Sequence, residues 1–214
     1  MIEPTRIIAI RHGETAWNVA TRIQGQLDIG LNPMGRWQAS QLAKALADQT
    51  FGAIYSSDLL RAWDTAISVC DAVNTPVQTV IALRERGFGV FEGKTFEQID
   101  QSWPDQAQRW RQRDPAFSPE GGESLIDFRE RIVAAVNQLA AAHAGEQIAL
   151  VAHGGVMDVL YRAATRQEIQ APRTWDLGNA TINRLLWTPE GLSIVGWGDK
   201  QHLENQGALD ESAA

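Results

Sequence analysis

The chain has 214 residues, 44% of them hydrophobic, and a formal net charge of −7 from 19 basic and 26 acidic side chains. A chain of that size and composition can bury a substantial core and is read as one domain over residues 1–214. The acidic balance argues against nucleic acid or an anionic membrane as partner, since both select a basic face, and a single cysteine, Cys70, excludes an intramolecular disulfide and a multi-cysteine metal site.

The first predicted element is a short apolar strand, "TRIIAIRH", that runs straight into Arg11, His12 and Gly13. The N-terminal stretch has no basic start followed by a long apolar run, so a signal peptide is not expected, and no window is long and apolar enough for a membrane span. A cytoplasmic protein is the expectation. "NPMGRWQASQLAKALADQ" reads as a helix with Asn32 as N-cap and Pro33 at the first helical position. "FGAIYSS" is a second strand. "DLLRAWDTAISVCDAV" is a second helix, with Leu59, Ala62, Ala66, Val69 and Val73 on one face and Cys70 as buried filler. "TPVQTVIAL" is a third strand.

An irregular insert follows, from about 84 to 122, rich in Gly, Pro and Trp. Thr95 to Gln98 has the form of a capping box, and inserts of this length often act as lids. "ESLIDFRERIVAAVNQLAAAH" is the longest helix, capped by Ser124, with Leu125, Phe128, Ile132, Val136 and Leu139 in one stripe. "QIALVAHGG" is a fourth strand built like the first, and a helix through "VMDVLYRAA" follows it. Two last strands, "ATINRLLW" and "LSIVGWGD", are joined at "TPEG". The polar tail, about 204–214, is expected to be loose. Alternating strands and helices predict an α/β fold: a three-layer arrangement with a mostly parallel central sheet, helices on both faces, and an irregular, partly helical insert as a lid.

Two strands end in histidine, His12 and His153, each followed by glycine. Ligands of open α/β sheets bind at the carboxyl ends of the strands, so parallel neighbours would bring both histidines to one rim. Arg61 follows the second strand, and Arg84 and Glu85 follow the third. Arg11 and Arg61 offer forked donors suited to phosphate. One histidine can attack phosphorus through a ring nitrogen, and Glu85 can pass a proton to the leaving oxygen and take one from water. Arginines can stabilise the charge without a metal, so neither a metal nor an organic cofactor is expected.

With "RHGET", "SSDLLRAWDTA", "LRERGFGVFEG" and "AHGG" in that order, the chain resembles the histidine phosphatase superfamily, from about Ile7 to about Trp197. The resemblance implies His12 as phosphorylated nucleophile, Arg11, Arg61 and His153 as the phosphate-binding cluster, and Glu85 as general acid and base. It implies substrate contacts for Asn18, Gln24, Gly25 and the backbone of Gly154. Within that family, phosphoglycerate mutases carry a longer basic insert and a tyrosine where this chain has Phe88, whereas "RIQGQLD" and "SPEGGES" are similar to the phosphatase branch. A metal-independent phosphomonoesterase acting on a small organic phosphate is therefore favoured, with a cofactor-dependent phosphoglycerate mutase as the alternative.

Two other classes fit less well. A metallohydrolase would use His12, His153 and Glu85 as ligands, but no H-x-H or H-E-x-x-H pair is present. A phospholigand-binding module would be expected to lack the nucleophile or the acid. "RWRQRD", with Arg109, Arg111 and Arg113, reads as a solvated helix face rather than a substrate contact. Trp103, Trp110, Phe88, Phe91 and Phe117 read as packing the insert, with a substrate pocket as the second possibility. A homodimer is compatible with the sequence, which does not identify the substrate.

Overall fold

The computed structural model describes residues 3–208, with side chains described to residue 204. In chain order the elements are β1 (Thr5–Arg11), α1 (Ala16–Val19), α2 (Pro33–Leu46), β2 (Ala53–Ser56), α3 (Leu60–Val73), β3 (Val77–Thr79), α4 (Phe96–Ser102), α5 (Pro104–Arg111), α6 (Leu125–Ala141), β4 (Gln147–Ala152), α7 (Gly154–Thr165), β5 (Ile182–Thr188) and β6 (Gly191–Asp199). The strands form one sheet in the order β3-β2-β4-β1-β5-β6. The first four of these run parallel, and β5 and β6 close the sheet antiparallel.

β1 lies between β4 and β5, so its apolar run is covered on both faces. Ile7 and Ala9 point into a core with Phe128, Ile132 and Val136 of α6 and Met157 and Leu160 of α7. Ile8 and Ile10 point the other way, against Leu42 and Leu46 of α2 and Ala62 and Ala66 of α3. Period-two alternation thus becomes a continuous apolar string, because both faces are buried. Each of these isoleucines contributes about 1.5–3 kcal/mol by leaving water. An aspartate at position 10 would place an unpaired charge in the middle of the sheet.

The caps form where the sequence calls for them. Asn32 Oδ1 accepts from the Gly35 N–H at 2.7 Å, with Pro33 opening α2. Ser124 Oγ accepts from the Asp127 N–H at 3.0 Å to start α6. Thr95 and Gln98 make the reciprocal capping box of α4.

Four expectations need adjustment. α3 starts at Leu60 rather than Asp58, because Asp58 is drawn into a forked pair with Arg84 (2.7 and 2.6 Å) and the Leu60 N–H is taken by Asp28. The third strand is only three residues long; a 3-10 turn over Ile81–Leu83 follows, so Arg84 and Glu85 lie beyond the strand end. Cys70 is half-buried at the margin of the α2–α3 core rather than within it. The tail expected to be loose over about 204–214 begins within the 3-10 helix Gln201–Ala208, and residues 209–214 lie outside the described residues.

The insert contains a 3-10 turn at Gly89–Phe91 together with α4 and α5. It has a small core of its own: Phe91, Ile99, Ala107 and Phe117, with Trp103 and Trp110 packed against them. Among the described residues no helix is long and apolar enough to cross a membrane.

Candidate active site

The parallel pairing of β1 with β4 puts Arg11 opposite Ala152, one residue before each histidine. The His12 N–H then donates to the Ala152 carbonyl at 3.0 Å, which carries the ladder one step past the strand. The two imidazoles end with ring centroids 5.3 Å apart. His12 Nδ1 lies 2.7 Å from the Gly13 carbonyl oxygen. A carbonyl can only accept, so Nδ1 carries the proton and Nε2 keeps its lone pair. Gly13 is itself required here, since a Cβ would collide with the Gly35 backbone of α2. Burial comes first, and the Arg11 and Arg61 charges second, in holding His12 well below its ordinary value. The ring is therefore neutral and nucleophilic.

His153 is fully buried, and neither ring nitrogen has a partner. Burial, then Arg61, pushes its protonation well below the usual range. Arg61, near the start of α3, donates to the carbonyls of Leu27 (2.8 Å) and Gly25 (2.7 Å). Arg11 donates to the Leu177 carbonyl. In both arginines Nε is buried and unpartnered. Desolvation lowers both, Arg61 to about 10, and Glu85 opposes the shift. Buried donors with no acceptor are costly to maintain. Arg11 Nε, Arg61 Nε and the one N–H of a neutral His153 are three such donors, and together they describe a socket for an anion.

Glu85 is held by two backbone amides. Oε1 accepts from the Arg86 N–H at 2.8 Å and Oε2 from the Gly155 N–H at 2.9 Å. Its own carbonyl receives Arg131 at 3.3 Å. Arg131 also donates to the carbonyls of Ala82 and Arg84 and is fixed by Glu123. Although Glu85 lies past the strand end, this net of contacts returns it to the rim.

The four residues expected to touch substrate behave differently from one another. Asn18 closes the Thr15 capping box, and its Oδ1 is used by the Thr15 N–H at 3.0 Å. Gln24 is buried, with Oε1 3.0 Å from Thr15 Oγ1. Gly25 adopts φ +52°, where a Cβ would run into the Glu92 carboxylate, and in that conformation its carbonyl reaches Arg61. Gly154 opens α7 with Arg11 Nε 3.3 Å from where its Cβ would be.

A cavity of about 490 Å³ opens beside the cluster. Arg11, Glu85, Gly154 and Gly155 form one end, and the insert supplies Arg86, Phe88 and Trp110 as a wall. His12, Arg61 and His153 are buried and do not form its wall. The "RWRQRD" arginines separate. Arg109 and Arg111 pair with Asp114 and Asp100 at the surface, as expected, whereas Arg113 lines the cavity and binds Asp158 at 2.9 Å. The aromatic group separates as well: Phe91 and Phe117 pack the insert, while Phe88 and Trp110 also face the cavity.

Sequence reasoning missed Arg86, Asp158, Arg162 and Arg173. The only signal for any of them was Asp158 and Arg162 at helical i,i+4 spacing. Arg86 is buried with its guanidinium lowered to about 10, mainly by desolvation. Among the described residues no group of three or more His, Cys, Asp or Glu side chains is placed to hold a metal ion.

Residues 7–200 match the family model described as histidine phosphatase superfamily (branch 1). The chain is 35% identical over 212 residues to phosphoglycerate mutase-like protein 4 of Arabidopsis thaliana, covering 97% of this chain and 91% of that one. It is 36% identical over 210 residues to the metal-independent phosphoserine phosphatase of the same plant, covering 97% and 87%. Among solved structures, phosphoserine phosphatase from Entamoeba histolytica in complex with 3-phosphoglyceric acid matches with TM-score 0.83 and 28% identity, over 93% of this chain and 99% of that one. Motif order, strand-end geometry and these relatives agree: the chain belongs to the histidine phosphatase superfamily and is a phosphoric monoester hydrolase of that type.

Proposed function

We propose that catalysis runs through a phosphohistidine on His12, with Arg11, Arg61 and His153 holding the phosphoryl oxygens and Glu85 moving the proton. The observation that carries this is the His12 Nδ1–H fixed on the Gly13 carbonyl, which turns the lone pair of Nε2 outward beside unpartnered buried donors. Nε2 attacks phosphorus as the P–O bond to the alcohol breaks. The protonated Glu85 carboxyl gives its proton to the leaving oxygen, releasing the alcohol. Water then attacks the phosphohistidine, Glu85 takes its proton, and inorganic phosphate leaves with His12 restored. The arginines and His153, all buried, bear the charge of the transferring group.

Asn18 and Gln24 lie near enough to the His12 loop to order it, and Asn18 Nδ2 is the group it has left for substrate. The insert acts as a lid over the cavity. The substrate is a small phosphate monoester, as the names of the relatives suggest. Hydrolysis over phosphoryl return is favoured by the open cavity beside Glu85, which admits water. The test is turnover of an aryl phosphate with chelator present, with acid-quenched samples examined for phosphate on a histidine. His12→Ala should lose turnover by at least about a thousandfold and lose the labelled histidine. Full turnover in that variant would overturn the mechanism.

A further inference from the structure

His12 Nδ1 is held by the Gly13 carbonyl, and that carbonyl is itself held from behind. Gly13 stands between two peptide groups, and side chains from elsewhere in the fold tie both of them. In the first, the His12 carbonyl accepts from Asn179 Nδ2 at 2.9 Å, and the Gly13 N–H donates to Thr65 Oγ1 at 3.0 Å. Thr65 is buried on α3 and donates its hydroxyl hydrogen to the Arg61 carbonyl at 2.7 Å. In the second, the Gly13 carbonyl accepts from His12 Nδ1 at 2.7 Å, and the Glu14 N–H donates to Gln38 Oε1 at 2.8 Å. An N–H can only donate, so the Gln38 atom that faces it is the oxygen.

Gln38 reaches this peptide because α2 packs on it directly. A Cβ at Gly35 would collide with the Glu14 carbonyl and nitrogen, so the first turn of α2 meets Glu14 backbone to backbone. Gln38 is three residues further on, the spacing that puts it on the same helix face. The cap of α2 adds two more ties: the Asn32 N–H donates to the Glu14 carbonyl at 3.0 Å, and Asn32 Nδ2 donates to Glu14 Oε1 at 2.8 Å. A peptide unit is planar with its N–H and C=O opposed, so fixing the Glu14 N–H aims the Gly13 carbonyl. Glycine has no side chain to oppose a rotation of that plane. Asn179 and Thr65 already hold the preceding peptide, so the aim of the Gly13 carbonyl rests on Gln38. The same bond polarises that carbonyl and makes it a better acceptor, as hydrogen bonds in a chain strengthen one another.

We infer that Gln38 is a positioning residue for the nucleophile. It acts through the Glu14–Gly13 peptide and not on the substrate. By keeping the Gly13 carbonyl on His12 Nδ1, it keeps the Nε2 lone pair aimed at phosphorus. A group that holds the far nitrogen of an attacking imidazole fixes its tautomer and stabilises the charge the ring gains. The inference rests on the phosphohistidine reading of this site.

The test is single turnover of p-nitrophenyl phosphate with enzyme in excess. Nitrophenolate departs without a proton, so its release reports attack by His12 and not proton transfer from Glu85. Gln38→Met keeps the reach and helix propensity of a half-buried side chain and removes the acceptor. Release should slow by roughly tenfold, the scale of one lost hydrogen bond. Inorganic phosphate, used as a competitive inhibitor, should bind this variant within about twofold of the wild type, because the socket donors are untouched. Gln38→Glu restores an acceptor at the same reach and should return the rate to within about threefold of the wild type. A merely structural role would weaken phosphate binding and rate together, and a carboxylate would not rescue it. An unchanged rate in Gln38→Met, a matching loss of phosphate affinity, or no recovery in Gln38→Glu would overturn the positioning role alone. No release by the wild type, or full release by His12→Ala, would overturn the phosphohistidine reading and this role with it.

Discussion

Glu85 and Gly155 meet where the insert joins the sheet: the Gly155 N–H donates to Glu85 Oε2 at 2.9 Å, and a Cβ on Gly155 would collide with Glu85 Oε1. The glycine thus supplies both a hydrogen bond and the room for it. Because the colliding atom is the end of a side chain, Gly155→Ala displaces the carboxylate rather than the backbone. Alanine is the better helix former by about 1 kcal/mol, which offsets the crowding of its Cβ against Cε1 of the buried Phe128 at 3.1 Å, so the variant should melt close to the wild-type temperature. Its kcat/KM should drop by roughly a hundredfold, as general acid–base contributions of this size imply. Calorimetry and steady-state kinetics on the same sample check both halves.

The buried histidines carry a pH signature. His12 and His153 are both held well below their ordinary value by desolvation. Below about pH 6.5 the unfolded chain binds protons that the folded chain refuses, so stability rises with pH there and is lost as pH falls. Two such groups give a slope approaching about 2.7 kcal/mol per pH unit, beyond what the carboxylates add. Denaturant unfolding between pH 6.5 and 5.5 should be less steep in His153→Gln than in the wild type. Equal slopes would show that His153 is protonated in the folded protein.

Arg131 is the strut behind Glu85. It reaches three successive stretches of main chain, at Ala82, Arg84 and Glu85, and forks onto Glu123. Arg131→Met keeps the stem and removes the donors. Leaving carbonyls and a carboxylate unpaired should destabilise the fold by about 1–3 kcal/mol, and kcat should fall because Glu85 loses its anchor. Arg131→Lys should recover less than half of the lost kcat, since an ammonium cannot serve a fork.

The insert should open before the rest of the molecule. Its core is four residues, Phe91, Ile99, Ala107 and Phe117, separate from the two clusters that flank the sheet. Phe91→Ala should raise amide exchange across α4 and α5 by roughly a hundredfold or more, the cost of an emptied aromatic site. Exchange in β1 and β4 should change far less. Uniform acceleration would mean that the insert and the sheet unfold as one unit.

Local chemistry in the sequence determined most of the scaffold. Period and capping residues specified α2, α4 and α6, and the unbroken apolar runs of β1 and β4 specified central strands covered on both faces. The strand-end motifs also predicted that Arg11, His12, Arg61 and His153 would gather, because a parallel sheet brings all its carboxyl ends to one edge. Tertiary structure alone decided how Glu85 returns to that edge after a 3-10 turn, through Arg131 and the amide of Gly155. It alone divided Arg113 from Arg109 and Arg111, three arginines alike in sequence, by bringing Asp158 within reach of one of them. The difference is physical: caps and periodicity act over a few residues, whereas the cavity is lined by residues from the insert, α6, α7 and the loop beyond it, whose meeting no local pattern encodes.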